Sequence, residues 1–175
     1  RQSIIQNHVG LLRSANCNLE TIDIAAQSAR NILSLLPTEE NSSIGLIGLW
    51  DSYSKISVFL NYDIYINRTS SIGAESLSFI SEEDRGTQSI VDSLALELQR
   101  TFDYYESHSR QASVHHLFIM QNTATIDSLS PLIQERLGLN CSTVNLNDIF
   151  TIEDTVGEIS NKCMMAVGGA LRGAN

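Results

Sequence analysis

Ile44-Gly45-Leu46-Ile47-Gly48-Leu49-Trp50-Asp51-Ser52-Tyr53-Ser54-Lys55-Ile56-Ser57-Val58-Phe59-Leu60-Asn61-Tyr62-Asp63-Ile64-Tyr65-Ile66-Asn67-Arg68-Thr69 is the stretch that decides the fold. Its apolar residues fall into three short runs separated by two clusters of turn residues. Ile44–Leu49 is apolar on both faces apart from Gly45 and Gly48, which predicts a central strand covered on two sides. Lys55–Leu60 alternates, with Ile56, Val58 and Leu60 on one face. Asn61-Tyr62-Asp63 is a turn, and Ile64–Thr69 is the third strand.

Working outward, the polar stretch Ser70–Gly86 leaves room for a loop or a turn or two of helix. Ile90, Leu94, Leu98 and Phe102 then recur at i+4 steps, and Tyr105 continues the stripe. This spacing predicts an amphipathic helix over Thr87–Ser107. A buried strand follows at Val114–Met120, then a helix at Ser128–Leu137, ended by Gly138. Asn140–Leu146 reads as a strand and Ser160–Leu171 as a last helix. Three antiparallel strands followed by helix, strand, helix, strand and helix give an α/β domain with a mixed five-stranded sheet and helices on both faces. Ahead of it, residues 1–37 read as helix, strand and helix: a helix to about Ala15, a short strand over Leu19–Ile24, and a helix at Ala25–Leu36. Pro37 and the polar run 38–43 form the linker candidate.

Composition narrows the function classes. The chain has 175 residues, 42% of them apolar, a net charge of −9 and a mean hydropathy of −0.04. Acidity at this level argues against nucleic acid as a partner, because phosphate binding needs clustered Lys and Arg. Apolar runs fall short of the roughly 20 residues that span a bilayer. Cys17, Cys141 and Cys163 lie far apart and read as buried thiols in a reducing compartment rather than as disulfides or a zinc site. The first residue is Arg1, which reads as a piece of a longer protein.

Four segments resemble the PilM family of type IV pilus assembly proteins, and within it the branch serving mannose-sensitive haemagglutinin (MSHA) pili. They are Ile44–Phe59, Asn67–Gly73, the helix Glu97–Tyr105 (Glu-Leu-Gln-Arg-Thr-Phe-Asp-Tyr-Tyr) and Met165–Gly173 (Met-Ala-Val-Gly-Gly-Ala-Leu-Arg-Gly). The resemblance covers residues 44–175 and implies a ribonuclease-H-like, actin-like ATPase half. Residues 1–37 would be the tail of the preceding actin-like subdomain. Function is implied as well: a non-catalytic cytoplasmic scaffold of the pilus inner-membrane assembly platform, peripheral to the membrane and without a span of its own. Its partner would be an inner-membrane pilus assembly protein, bound through that protein's cytoplasmic tail. In the family this tail docks on the first half. Self-association into a homo-oligomer is a further expectation.

The chain departs from nucleotide-binding relatives in three places. Their phosphate turn is Asp-x-Gly-x-x-Ser/Thr, whereas here Gly48 stands for the Asp and Trp50 for the Gly. A glycine cannot hold the water shell of Mg²⁺, and a large ring blocks backbone N–H groups from a phosphate. The Gly-rich adenosine loop is replaced by Gln121-Asn122-Thr123-Ala124, and the insertion after the meander is reduced. The three losses read as independent, and they imply no cofactor and no catalysis.

Under the alternative, a divergent ATP-binding protein, Asp51, Ser52, Ser54, Gln121 and Asn122 would hold Mg-ATP. The equivalent scaffold of a type II secretion platform is another alternative. Trp50 and Tyr53 on the turn, with Ile64 and Ile66 on the third strand, are the candidate partner-binding residues. A packed Trp50, filling the vacated cleft, is the plainer reading. His115 and His116 are adjacent in a strand and point to opposite faces, so they do not share a metal. His8 and His108 lack companions at ligand spacing. No catalytic nucleophile context or carboxylate pair stands out. Glu82, Glu83 and Asp84 read as a solvated acidic loop.

Overall fold

Two helices precede the sheet, α1 (Gln2–Ser14) and α2 (Ala25–Leu33). The meander follows as β1 (Ser43–Leu49), β2 (Ser54–Leu60) and β3 (Asp63–Ser70). Then come α3 (Ala74–Leu77), α4 (Arg85–Ser109), β4 (Val114–Gln121), α5 (Leu129–Leu137), β5 (Asn140–Thr143), α6 (Leu146–Ile149) and α7 (Met164–Ala170). The structure, a computed structural model, describes residues 2–39, 41–77, 85–109, 113–122, 126–151 and 157–173. The acidic run Glu82–Asp84 and residues Thr123 and Ala124 fall outside these.

The strand order is β3-β2-β1-β4-β5. β1 and β2 pair antiparallel, as do β2 and β3, while β4 runs parallel to β1 and to β5. This is the five-stranded mixed sheet that the sequence predicts. β1 is buried at every residue because both of its faces are covered. On one side α4 lays Leu94, Leu98 and Phe102 over Ile47, Leu49, Ile56, Leu117 and Ile119. On the other, Ile32 and Leu33 of α2 and Met164 of α7 pack with Leu46, Phe59, Phe118 and Met120. Helix α2 thus shares a core with β1 across residues 38–43.

Two local features fix the meander. Tyr105, at the end of the α4 stripe, is 1% exposed and shares a 2.9 Å hydrogen bond with Ser43 at the start of β1. The β2–β3 turn places Asn61 at φ 49° and Tyr62 at φ 64°, the left-handed pair that matches strand twist in a two-residue hairpin. A tyrosine is uncommon there. Its ring packs on the α2 face, and its hydroxyl lies 2.8 Å from Thr38 Oγ1.

Several expected elements differ. Leu19–Ile24 forms no strand. It has no sheet neighbour to take its backbone hydrogen bonds, and Ile22 and Ile24 are exposed. An ion pair from Arg172 to Asp23 ties this stretch to the end of α7. The strand expected over Asn140–Leu146 stops at Thr143, because Asn145 caps α6 by accepting from the Asn147 N–H at 3.2 Å. The last helix begins as a 3₁₀ turn (Asn161–Cys163) capped by Ser160. Cys17 and Cys163 are exposed rather than buried, and only Cys141 is half-buried. Helix α1 buries no residue, and the chain around Cys17 shares that exposure. Burial pushes the Cys141 thiol up to about 11, so it stays protonated and unreactive.

The α2–α7 crossing rests on one glycine. A Cβ on Gly168 would come within 2.1 Å of the Ser28 carbonyl oxygen, whereas one on Gly169 would lie 3.8 Å from Ser28 Oγ. Asn31 Nδ2 donates to the Gly168 carbonyl at 2.8 Å and fixes the register. Gly168→Ala is expected to cost about 2 kcal/mol or more in urea unfolding, from overpacking against backbone that cannot yield. Gly169→Ala is expected to be neutral or to stabilise by about 0.5 kcal/mol, through helix propensity.

Candidate functional site

The turn between β1 and β2 lies at the carboxyl end of β1, next to the end of β4. Trp50 N–H donates to Tyr53 O at 3.0 Å and closes the turn. Below it, the start of α3 leaves backbone N–H groups without helical acceptors. Ala74 N–H donates to Trp50 O at 2.8 Å and Glu75 N–H to Asp51 O at 2.9 Å. Gly73 makes this approach possible, since a Cβ there would meet Asp51 O at 2.3 Å and Tyr53 N at 2.4 Å. The turn is therefore fastened to the segment after β3.

Above the turn, the Trp50 and Tyr53 rings stack at 5.1 Å with 7° between planes. The indole folds back over Gly48. A Cβ on Gly48 would stand 2.9 Å from Trp50 Cζ3, 3.1 Å from Cη2 and 3.6 Å from Asn122 Nδ2. The ring thus occupies the space that a side chain at position 48 would need. Positions 48, 50 and 122 therefore meet at one place, so two of the three departures expected to be independent, the turn and the segment after β4, are neighbours in space. Beside the ring a cavity of about 330 Å³ opens, lined in part by Ala26, Leu46, Lys55, Asn67 and Met120.

The residues proposed to hold a nucleotide do not converge. Asp51 and Ser52 are exposed on the turn. Ser54 sits opposite Leu49, on the α4 face of the sheet; it is 0% exposed and its Oγ has no hydrogen-bond partner. Gln121 is on that same face, where its side chain bonds both the N–H and the C=O of Ile126. Asn122 alone lies towards Gly48, with Nδ2 donating to Leu49 O at 3.2 Å and Oδ1 unpartnered. Sheet alternation puts Ser54 and Gln121 on the side away from the Trp50 ring.

The expected partner-binding residues are largely engaged as well. Trp50 and Tyr53 are half-buried against each other, while Ile64 packs on the α2 core and Ile66 on the α4 core. Sequence reading missed one exposed aromatic, Tyr65; a second, Tyr104, lies exposed on the helix flank. Tyr65 is the extra residue of a bulge, since Val58 opposes Ile66 and Phe59 opposes Ile64. No sequence pattern announces that bulge. Tyr104 was legible as the flank neighbour of the α4 stripe.

His115 is exposed and His116 half-buried, on opposite faces of β4. His116 stacks on Phe118 at 4.3 Å, and its Nε2 lies 3.0 Å from Ser142 Oγ. Among the described residues no group of three His, Cys, Asp or Glu could hold a metal. Burial disfavours the His116 imidazolium and lowers its pKa from 6.5. In the unfolded chain the ring takes up a proton that the folded chain resists. Stability is therefore expected to be full above pH 6.5 and to fall as pH drops from there through the lower folded value. Urea midpoints against pH, with His116→Gln removing this component, check the expectation.

Contact between Trp50 and position 48 generates a second prediction. Gly48→Asp alone is expected to destabilise by about 2 kcal/mol, because the carboxylate must displace the ring. Combined with Trp50→Gly, its cost is expected to shrink, with a coupling of about 1 kcal/mol or more. Circular dichroism in urea measures both, since Trp50 is the single tryptophan.

No family model matches the chain, and no curated protein matches it. Solved structures do. A chain of the PilM-PilN type IV pilus biogenesis complex superposes with a TM-score of 0.75 at 18% identity, covering 100% of this chain and 59% of that one. The ethanolamine utilization protein EutJ from Carboxydothermus hydrogenoformans gives 0.57 at 16% identity, over 93% of this chain and 58% of that one. The archaeal actin homologue Ta0583 gives 0.51 at 9% identity, over 91% and 57%. The chain spans less than two thirds of the length of these proteins. What they share with it is the fold: a PilM-like, actin-like, ribonuclease-H-like sheet and its helices.

Proposed function

We propose that this chain is the second-half core of a non-catalytic scaffold in a type IV pilus assembly platform, of the MshI branch serving MSHA pili. The observation that carries the reading is the Trp50 ring seated on Gly48, where a magnesium-binding carboxylate and bare backbone would otherwise stand. An enzyme of this fold needs backbone donors that can approach a polyphosphate and an anion to position its metal. Here the turn offers a stacked aromatic pair, and its carbonyls are tied to α3. What remains is a sheet covered on both faces, stiff enough to hold docking surfaces in fixed relation.

The likeness to a chain of the PilM-PilN complex supports an inner-membrane pilus assembly protein as partner. On this reading the protein sits on the cytoplasmic side and meets the membrane through that partner. Among the described residues no helix is long and apolar enough to cross a membrane, which fits attachment of this kind.

Titration of the full-length protein with Mg-ATP tests the silent site. The expected result is no saturable heat and no change in Trp50 emission up to millimolar nucleotide. Saturable micromolar binding with quenching of that single tryptophan rejects the proposal. Co-purification from piliated cells is expected to retain an inner-membrane pilus assembly protein. Recovery of a type II secretion component in its place rejects the pilus assignment.

A further inference from the structure

We propose that the exposed surface formed by edge strand β3 and the neighbouring flank of helix α4 binds an extended acidic segment of another protein, which adds to the sheet beside β3. This surface uses the outer edge of β3 and the α4 flank rather than the Trp50 ring, and the inference holds whether or not the turn at Trp50 is silent.

The first component is the strand edge. β3 pairs only with β2, so its outer side has no strand partner among the described residues. The bulge at Tyr65 disrupts the first half of the strand, as protected edges often do. Residues 66–70 stay in regular register with β2 and leave a straight edge on which peptide backbone can pair.

The second component is the helix flank beside that edge. Leu96, Arg100, Tyr104 and His108 follow one another at i+4 steps, and all four are exposed. Leu96 is 49% and Tyr104 50% exposed, while Tyr65 on β3 is 51% exposed. Tyr65, Tyr104 and His108 are held in place by their neighbours. His108 stacks on Tyr104 at 4.0 Å, and its Nδ1 donates to the Tyr104 carbonyl at 2.8 Å. Tyr65 meets the Tyr105 ring edge-on at 5.8 Å, and the Arg68 guanidinium stands 5.6 Å over the Tyr104 ring. Rings fixed before binding lose little entropy when a partner arrives.

The third component is charge. The chain carries −9 overall, yet neither Arg68 nor Arg100 has a carboxylate partner among the described residues. Asp103 already accepts from Gln99, and Glu97, half-buried on the same flank, makes no ion pair with either arginine. An arginine fork held beside an aromatic ring is suited to a carboxylate. Two arginines are too few to track a phosphate chain, and the surrounding acidity repels one. An open strand edge favours a peptide. The occupant is therefore an extended segment that alternates acidic and apolar residues, with the acids reaching Arg68 and Arg100 and the apolar groups meeting Tyr65, Tyr104 and Leu96.

A short fluorescein-labelled peptide of alternating valine and glutamate serves as probe on the full-length protein, beside its valine–lysine counterpart. The glutamate peptide is expected to bind saturably by anisotropy and to shift the backbone NMR resonances of residues 66–70. Arg68→Glu is expected to weaken it about tenfold, and added salt to weaken it further. Arg68→Lys, which keeps charge without the planar fork, is expected to fall between. Equal affinity for the two peptides overturns the proposal, as does no saturable binding at millimolar peptide or indifference to Arg68→Glu. Tighter binding of a single-stranded oligonucleotide at the same resonances also overturns it. So does a dimer, seen by light scattering, that Arg68→Glu dissolves, because the edge then belongs to a second copy of this chain.

Discussion

Strand β1 has two glycines on opposite faces, and each is the floor for an aromatic ring. A Cβ on Gly45 would come within 2.8 Å of Phe102 Cζ, and one on Gly48 within 2.9 Å of Trp50 Cζ3. The first contact lets α4 lie close enough to the central strand to bury it. The second covers the carboxyl end of the strand, beside the β1–β2 turn. Both are close approaches that any side chain would prevent. Along the rest of β1, Ile44, Leu46, Ile47 and Leu49 are 4% exposed or less and supply the apolar burial that the surrounding layers share.

The two rings have different consequences. Phe102 belongs to a packed layer in which α4 and α5 cover β1, β2 and β4, so its role is in folding. Trp50 closes a turn whose carbonyls are already used by α3 and whose neighbour Asn122 bonds back to Leu49.

Much of the fold was legible because burial periodicity is a local property. The meander follows from two-sided burial at 44–49 and alternation at 55–60, and α4 from the i+4 stripe. The sequence failed where a boundary depended on a neighbour. Leu19–Ile24 has strand-like residues and no strand beside it. Asn145 stops the last strand by capping a short helix, a choice that competes with sheet pairing at similar cost. At the site, the sequence identified Gly48 and Trp50 as departures, and it could not show that one fills the space of the other.

By itself the amino-acid order determined most element types, the central strand and the glycine and tryptophan at positions 48 and 50, since each depends on residue chemistry and short-range spacing. Only the tertiary structure decided that Ser54 and Gln121 lie across the sheet from Trp50, because strand register sets which face a side chain takes. Tertiary structure likewise brought Arg68 over Tyr104, two residues 36 positions apart whose contact comes from the packing of α4 beside an edge strand. Such meetings depend on how layers stack in space, and no local pattern along the chain encodes them.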